Sequence, residues 1–271
     1  MNDPRHVLII WLRARWSEAQ IALMLLTRLP AGRLTGQAPA LADGTWAFPL
    51  VGLVVGLIGA ITFAIANAIG LAIPIAVGLA LAMGVLATGG LHEDGLADVA
   101  DGFGGGRDKA HKLDIMRDSR IGSYGTLALI LSMGLRWTAQ VEIAQANTRT
   151  AIWAMIAIAV ASRAGLAPAL LLMPTARPDG LGRAAATNGA LRPALAIIIA
   201  LIAVGWMIGP VCALVLGLLL AAVNLLFGRL SMRKIGGQTG DVLGAMQQLG
   251  DLAAWAFMGI WVVIAGRFTL G

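Results

Sequence analysis

Residues 89–125, GGLHEDGLADVADGFGGGRDKAHKLDIMRDSRIGSYG, form a polar island in an otherwise apolar chain, and their reading decides the fold. Seven of the 14 acidic residues fall between Glu93 and Asp118. Asp94, Asp98 and Asp101 are spaced i, i+4, i+7, so a helix over residues 92–102 projects all three carboxylates from one face. Two carboxylates about 6 Å apart repel by roughly 3 kcal/mol at an effective dielectric of about 20, so such a row requires protons, basic partners or a cation. Hard oxygen ligands without His or Cys company favour Mg²⁺ or Mn²⁺ over zinc.

The rest of the chain says where that island sits. Of the 271 residues 58% are hydrophobic and 13% charged, against about 25% charged in soluble domains. The mean hydropathy is +0.82. This composition predicts a polytopic membrane protein, all-α, with a single membrane-embedded domain over residues 1–271. The net charge of +6 does not point to nucleic acid, because the basic residues lie in loops between apolar runs, as membrane topology requires. Cys212 is the only cysteine, which excludes an intrachain disulfide and a cysteine-based zinc cluster. No small-residue cleavage site follows the N-terminal apolar stretch clearly, so no removable signal peptide is expected.

Residues 7–27 carry Arg13, Arg15, Glu18 and Gln20 among apolar neighbours and read as an interfacial amphipathic helix. Spans are expected at 46–69, 71–91, 124–144, 151–173, 194–208, 210–228 and 252–268, about seven in all. Gly52 and Gly56 form a GxxxG spacing suited to close helix packing. The segments 28–45, 92–120, 174–193 and 229–251 then share one side and hold most of the loop arginines and lysines. The opposite connections contribute only Arg149. The positive-inside rule makes the long polar loops cytoplasmic.

A second polar island, GGQTGDVLGAMQQLGD at residues 236–251, lies on that same side. Alone, a glycine-rich segment with one aspartate reads as an ordinary membrane-flanking loop. Beside the Asp row it gains value: Asp241 can complete a metal site, and the backbone around Gly237, Thr239 and Gly240 can approach a phosphate closely. Arg117 and Arg120 bracket Asp118 and Ser119 in a spacing that suits a phosphate clamp. Arg136 and Arg163 fall inside expected spans, where a charge costs about 2.5 to 3.5 kcal/mol and demands a partner. That partner is either an anionic substrate or a structural carboxylate. His92 reads as a cap or packing residue, and His111 belongs to no constellation. Carboxylates for a divalent metal, arginines for phosphate and glycines that admit the backbone together describe phosphoryl or nucleotidyl transfer better than proton pumping.

The motifs Leu26-Thr27-Arg28-Leu29-Pro30, Phe48-Pro49-Leu50-Val51-Gly52, GGLHEDGLADVADG from Gly89, Ile115-Met116-Arg117-Asp118-Ser119-Arg120-Ile121-Gly122, Ser162-Arg163, Gly180-Leu181-Gly182 and GGQTGDVLGA from Gly236 run in order over nearly the whole chain. Their combination resembles the cobalamin synthase family, the adenosylcobinamide-GDP ribazoletransferases. The resemblance implies that adenosylcobinamide-GDP is joined to α-ribazole or its 5′-phosphate with release of GMP, and that Mg²⁺ is required. It implies a multi-pass protein of the bacterial cytoplasmic membrane in contact with membrane lipid, with the site on the cytoplasmic side, and leaves a homo-oligomer open. Two residues depart from the family pattern: Glu93 stands where an apolar residue is usual, and Gln248 where a glutamate is.

On this reading Asp94, Asp98 and Asp241 hold the metal, with Asp94, Asp98 and Asp101 catalytic and Asp101 the expected base. Arg117, Arg120, Arg163, Gly237, Thr239 and Gly240 are expected to bind the substrate. A CDP-alcohol phosphotransferase also sets aspartates at helical spacing, but its signature places Ala-Arg after Asp-Gly and then two aspartates four apart. Here Ala97 is followed by Asp98, and the next aspartate is three on. A divalent-cation transporter, the other rival, is expected to keep its acidic residues at mid-membrane.

Overall fold

The structure, a computed structural model, describes residues 4–34, 36–185 and 189–269. Among the described residues the regular elements are helical, in keeping with the all-α expectation: α1 (Pro4–Leu26), a 3-10 turn (Leu41–Ala47), α2 (Phe48–Ala68), α3 (Ile73–Thr88), α4 (Leu91–Gly105), α5 (Lys109–Ile115), α6 (Ser123–Ala146), α7 (Thr148–Ala164), α8 (Leu166–Leu172), α9 (Leu181–Ala184), α10 (Leu191–Ile208), α11 (Pro210–Ile235) and α12 (Gly240–Thr269).

Each of the seven expected spans is helical. Four stretches among the described residues are long and apolar enough to cross a membrane by themselves: the 3-10 turn with α2, α7 with α8, α10, and α11. A fifth is reached only if α3 is counted with α4, from which it is bent by 86°. Of the others, α3 is only 16 residues long, and α6 is interrupted by Arg136, Gln140 and Glu142.

The corner between α3 and α4 follows from two glycines. Gly89 and Gly90 both adopt the left-handed region, with φ of 67° and 71°, a conformation that costs any residue with a Cβ. The acidic helix is thereby turned across the end of the bundle instead of continuing α3 through it. Its Leu96 and Val99 pack into a core with Leu26, Phe48, Val51, Met116, Ile235 and Val242. The aspartates lie on the opposite face.

The GxxxG pair does the packing expected of it. Gly52 and Gly56 lie directly against the backbone of α7 at Ala159 and Ile156, too close for any side chain. The central core continues through Phe63, Val77, Ile143, Ile158 and Leu216. In α1 the first half leaves Val7, Leu8, Ile9, Ile10, Trp11, Leu12 and Trp16 exposed. Its second half is held down by Glu18, which is buried and accepts from Trp46 Nε1 at 2.7 Å, with Arg15 at 2.6 Å and Arg192 at 3.2 Å.

One expectation changes. Residues 236–251 were read as a loop, but only 236–239 are: α11 runs on to Ile235 and α12 starts at Gly240. Thr239 caps the new helix, its hydroxyl accepting the Val242 N–H at 3.2 Å. Met246, Gln247, Gln248 and Leu249 are good helix formers, so the polar island joins the last span as one rod.

Candidate active site

Two helices bring the acidic islands together. Gly95 on α4 faces the backbone of α12 so closely that a Cβ there would stand 2.8 Å from the Asp241 carbonyl and 3.2 Å from Gly244 Cα. Gly244 in turn faces Gly95 and His92 at 3.3 Å. A glycine on each helix allows an approach that larger residues forbid. Asp94 and Asp98 flank Gly95, and Asp241 starts α12, so this one contact gathers three carboxylates from segments far apart in sequence.

The cluster is electrostatically strained. Burial, followed by the charges of Asp94, Asp241 and Asp101, pushes the Asp98 carboxyl up to about 7. Burial also raises Asp241, in the first turn of α12 ahead of its apolar part, against the opposing pull of Arg177. Among the described residues the ion pair to this trio is Arg177 Nη1 with Asp241 Oδ2 at 3.4 Å.

No three His, Cys, Asp or Glu side chains among the described residues converge tightly enough to hold a metal ion by themselves. That arrangement fits Mg²⁺ in one common mode, in which one or two carboxylates bind and waters and substrate phosphates complete the shell. Those one or two ligands would be drawn from Asp94, Asp98 and Asp241, whose negative charge exceeds that of the ion pair made to them among the described residues.

Asp101, expected to act as base, is occupied instead. Its two oxygens accept the Gly122 and Gly125 N–H groups at 2.7 and 2.8 Å, at the start of α6. It ties the Arg117–Arg120 loop to α4 and satisfies two donors that the helix leaves unpaired. The two loop arginines are exposed and already engaged: Arg117 with Asp179 at 2.8 Å, Arg120 with Asp118 at 2.6 Å. Such exposed pairs are worth about 0 to 1 kcal/mol and open readily. Thr239 caps α12 and also donates to Asp241 Oδ2 at 3.2 Å. Gly240 faces open space, and Gly237 is buried under the segment that follows α8.

Arg163 does not join the trio. It is 4% exposed, donates to its own helix at Ala159 O (3.2 Å), and lines a small polar cavity with Glu93, Arg136, Gln140, Gln247, Gln248 and Asp251. There Arg136 meets Asp251 at 2.9 Å and Glu93 at 3.6 Å, and donates to Gln248 Oε1 at 2.8 Å. Gln248 donates onward to Glu93 Oε1 at 2.9 Å. The two residues that depart from the family pattern are therefore hydrogen-bonded to each other. His92 lies on the buried face of α4, and neither ring nitrogen has a hydrogen-bond partner among the described residues.

Sequence reasoning overlooked Arg177. It was one loop charge among many, and only its position beside Asp241 distinguishes it.

The match to known proteins covers all of these elements. Residues 18–259 match the cobalamin-5-phosphate synthase family. A Bradyrhizobium diazoefficiens protein named adenosylcobinamide-GDP ribazoletransferase is 44% identical over 256 residues, covering 94% of this chain and 95% of that one. Proteins of the same name from Mesorhizobium japonicum and Sinorhizobium medicae are 46% and 39% identical, over 93% and 89% of this chain and 93% and 95% of theirs. No solved structure matches. Since the likeness runs from α1 through α12 and includes both helices that meet at Gly95 and Gly244, the chain belongs to the cobalamin-5-phosphate synthase family.

Proposed function

We propose that the protein joins adenosylcobinamide-GDP to α-ribazole or α-ribazole 5′-phosphate, releasing GMP, with Mg²⁺ as the required cation, at the cytoplasmic face of a bacterial inner membrane. The observation that carries this reading is the convergence of Asp94, Asp98 and Asp241 with more negative charge than Arg177 can offset, in a chain of this family. A pyrophosphate substrate and a divalent cation complete such a site, each neutralising what the other leaves.

In the reaction the 3′-hydroxyl of α-ribazole attacks the phosphorus on the cobinamide side. The new P–O bond forms as the bond to the GMP oxygen breaks. Mg²⁺, when bound, supplies charge neutralisation for the pyrophosphate and the departing GMP. Asp94, Asp98 and Asp241 would supply the carboxylates for that cation, one or two of them bound directly. A carboxylate of the row takes the hydroxyl proton. Asp98, half-buried in that row, suits that task better than Asp101, whose oxygens are committed to α6. Arg117 lies near enough to Asp241 to act on its charge and can exchange the exposed Asp179 for a phosphate oxygen. The start of α12, with Gly240 open, offers N–H groups and the positive end of a helix dipole to the same anion.

The test is direct. Purified protein in detergent, given adenosylcobinamide-GDP, α-ribazole and Mg²⁺, should release GMP, and EDTA should stop it. Failure to form GMP would remove the substrate assignment, and turnover unaffected by EDTA would remove the metal. The transporter reading gains no support, because the carboxylates inside the bundle, Glu93 and Asp251, share their cavity with Arg136, which pairs with both, and Arg163.

A further inference from the structure

The segment that follows α8 is fastened beside the start of α12. Ala176 N–H donates to Gln238 O and Gln238 N–H donates to Pro174 O, both at 2.8 Å. This two-way backbone pairing presses the segment onto Gly237, where any Cβ would collide with the Pro174 carbonyl. From this fixed base Arg177 reaches inward. One guanidinium nitrogen meets Asp241 at 3.4 Å, and another donates to the Leu113 carbonyl of α5 at 3.0 Å. Its Nε is buried with no acceptor among the described residues.

Three carboxylates with one paired guanidinium, and Arg117 acting on Asp241 from further off, leave an excess of negative charge that a divalent cation would reduce. A cation that takes the Asp241 carboxylate also competes with Arg177 for it. The guanidinium, with Nε already lacking an acceptor, then has donors to spare beside the place where a pyrophosphate would bind. Its planar fork matches phosphate oxygens in a way lysine does not.

We propose that Arg177 is a substrate-binding residue that rests on Asp241 while the carboxylates lack a divalent cation and turns to the pyrophosphate of the nucleotide substrate when a cation takes Asp241 over. This rests on the Mg²⁺-dependent transfer proposed above.

The first test is Mn²⁺ titration followed by electron paramagnetic resonance without substrate. Arg177→Gln should bind Mn²⁺ about tenfold more tightly than the wild type, because a competing positive charge is gone. The same variant should raise KM for adenosylcobinamide-GDP about tenfold with a smaller effect on kcat, as expected for lost phosphate binding. Arg177→Lys restores the charge at Asp241 and should return Mn²⁺ affinity to within about twofold of the wild type while recovering KM only in part. A purely structural arginine predicts weaker metal binding in both variants and no effect confined to KM.

A second measurement needs no variant and so does not depend on one folding. Phenylglyoxal labelling of Arg177 in the wild type, read by peptide mass spectrometry, should rise when Mn²⁺ is added and fall when GDP is added with it. Labelling that Mn²⁺ leaves unchanged, or an Arg177→Gln affinity for Mn²⁺ at or below the wild-type value, overturns the proposal. If the wild type binds Mn²⁺ and releases GMP, only the role of Arg177 is lost. If it does neither, the transfer reading and this inference are lost together.

Discussion

Glu93 and Asp94 are neighbours on α4, yet they belong to two charge clusters built on opposite principles. Glu93 lies inside the bundle, where two carboxylates and two arginines share a cavity with Gln247 and Gln248, and Arg136 reaches both acids. Asp94 lies outside, in a row whose ion pairing among the described residues is one arginine on Asp241. Charges buried in apolar surroundings persist only when paired and hydrogen-bonded, so the inner cluster is balanced within the protein. The outer one is left short of paired positive charge among the described residues, which is the ground for the ligand proposed there. Net charge separates structure from function here more sharply than residue type does.

The comparison can be broken from either side. The largest effect is expected at Arg136→Gln, which removes the ion pairs of both Glu93 and Asp251 and leaves Arg163 as the one cation in their cavity. It should cost about 3 to 5 kcal/mol, read as a lowered unfolding temperature in detergent, and Glu93→Gln in the same chain should return part of it. An Arg136→Gln protein as stable as the wild type would mean that the inner cluster is not structural.

Asp94→Asn makes the reverse case. It removes charge from a cluster with too much, so the fold should be unharmed while GMP release falls about 100- to 1,000-fold, the range seen when a group that stabilises transition-state charge is lost. Unfolding temperature and turnover measured on the same sample separate the two clusters. An active Asp94→Asn enzyme with unchanged metal dependence would refute the assignment.

Gly95→Ala adds one methyl where α4 and α12 meet, at 2.8 Å from the Asp241 carbonyl. Overpacking of this kind costs about 1 to 3 kcal/mol, and by moving Asp94 and Asp98 away from Asp241 it should weaken Mn²⁺ binding as well. Normal metal affinity in Gly95→Ala would show that the helix contact does not set the site. Arg120→Ala should do least. Its exposed pair with Asp118 is worth under about 1 kcal/mol, so only a modest rise in KM is expected, and a large drop in kcat would assign Arg120 a role the geometry does not support.

Much of this architecture was legible in the chain. The i, i+4, i+7 spacing placed the three aspartates on one helical face, and α4 is that helix. The apolar runs marked the helices of the bundle, and Gly52 with Gly56 marked a packing seam. Less legible was the start of α12. A run with Gly, Asp and Gln resembles a loop by composition, but the Thr239 cap and the continuous packing of Val242, Ala245 and Met246 make it helix. The setting of Asp101 was hidden for a different reason. Its equivalence to Asp94 and Asp98 holds along α4, but the donors that occupy it come from residues 21 and 24 positions later.

By itself the sequence determined the helices, the face each side chain occupies and the order in which polar segments follow apolar ones, because these depend on neighbours within a turn or two. Which charge meets which partner was decided only by the tertiary structure. Arg136 and Gln248 are 112 residues apart, and Glu93 and Gln248 are 155 apart. Electrostatic energy depends on distance through space and on burial, and neither is set until α4, α6, α7 and α12 have packed.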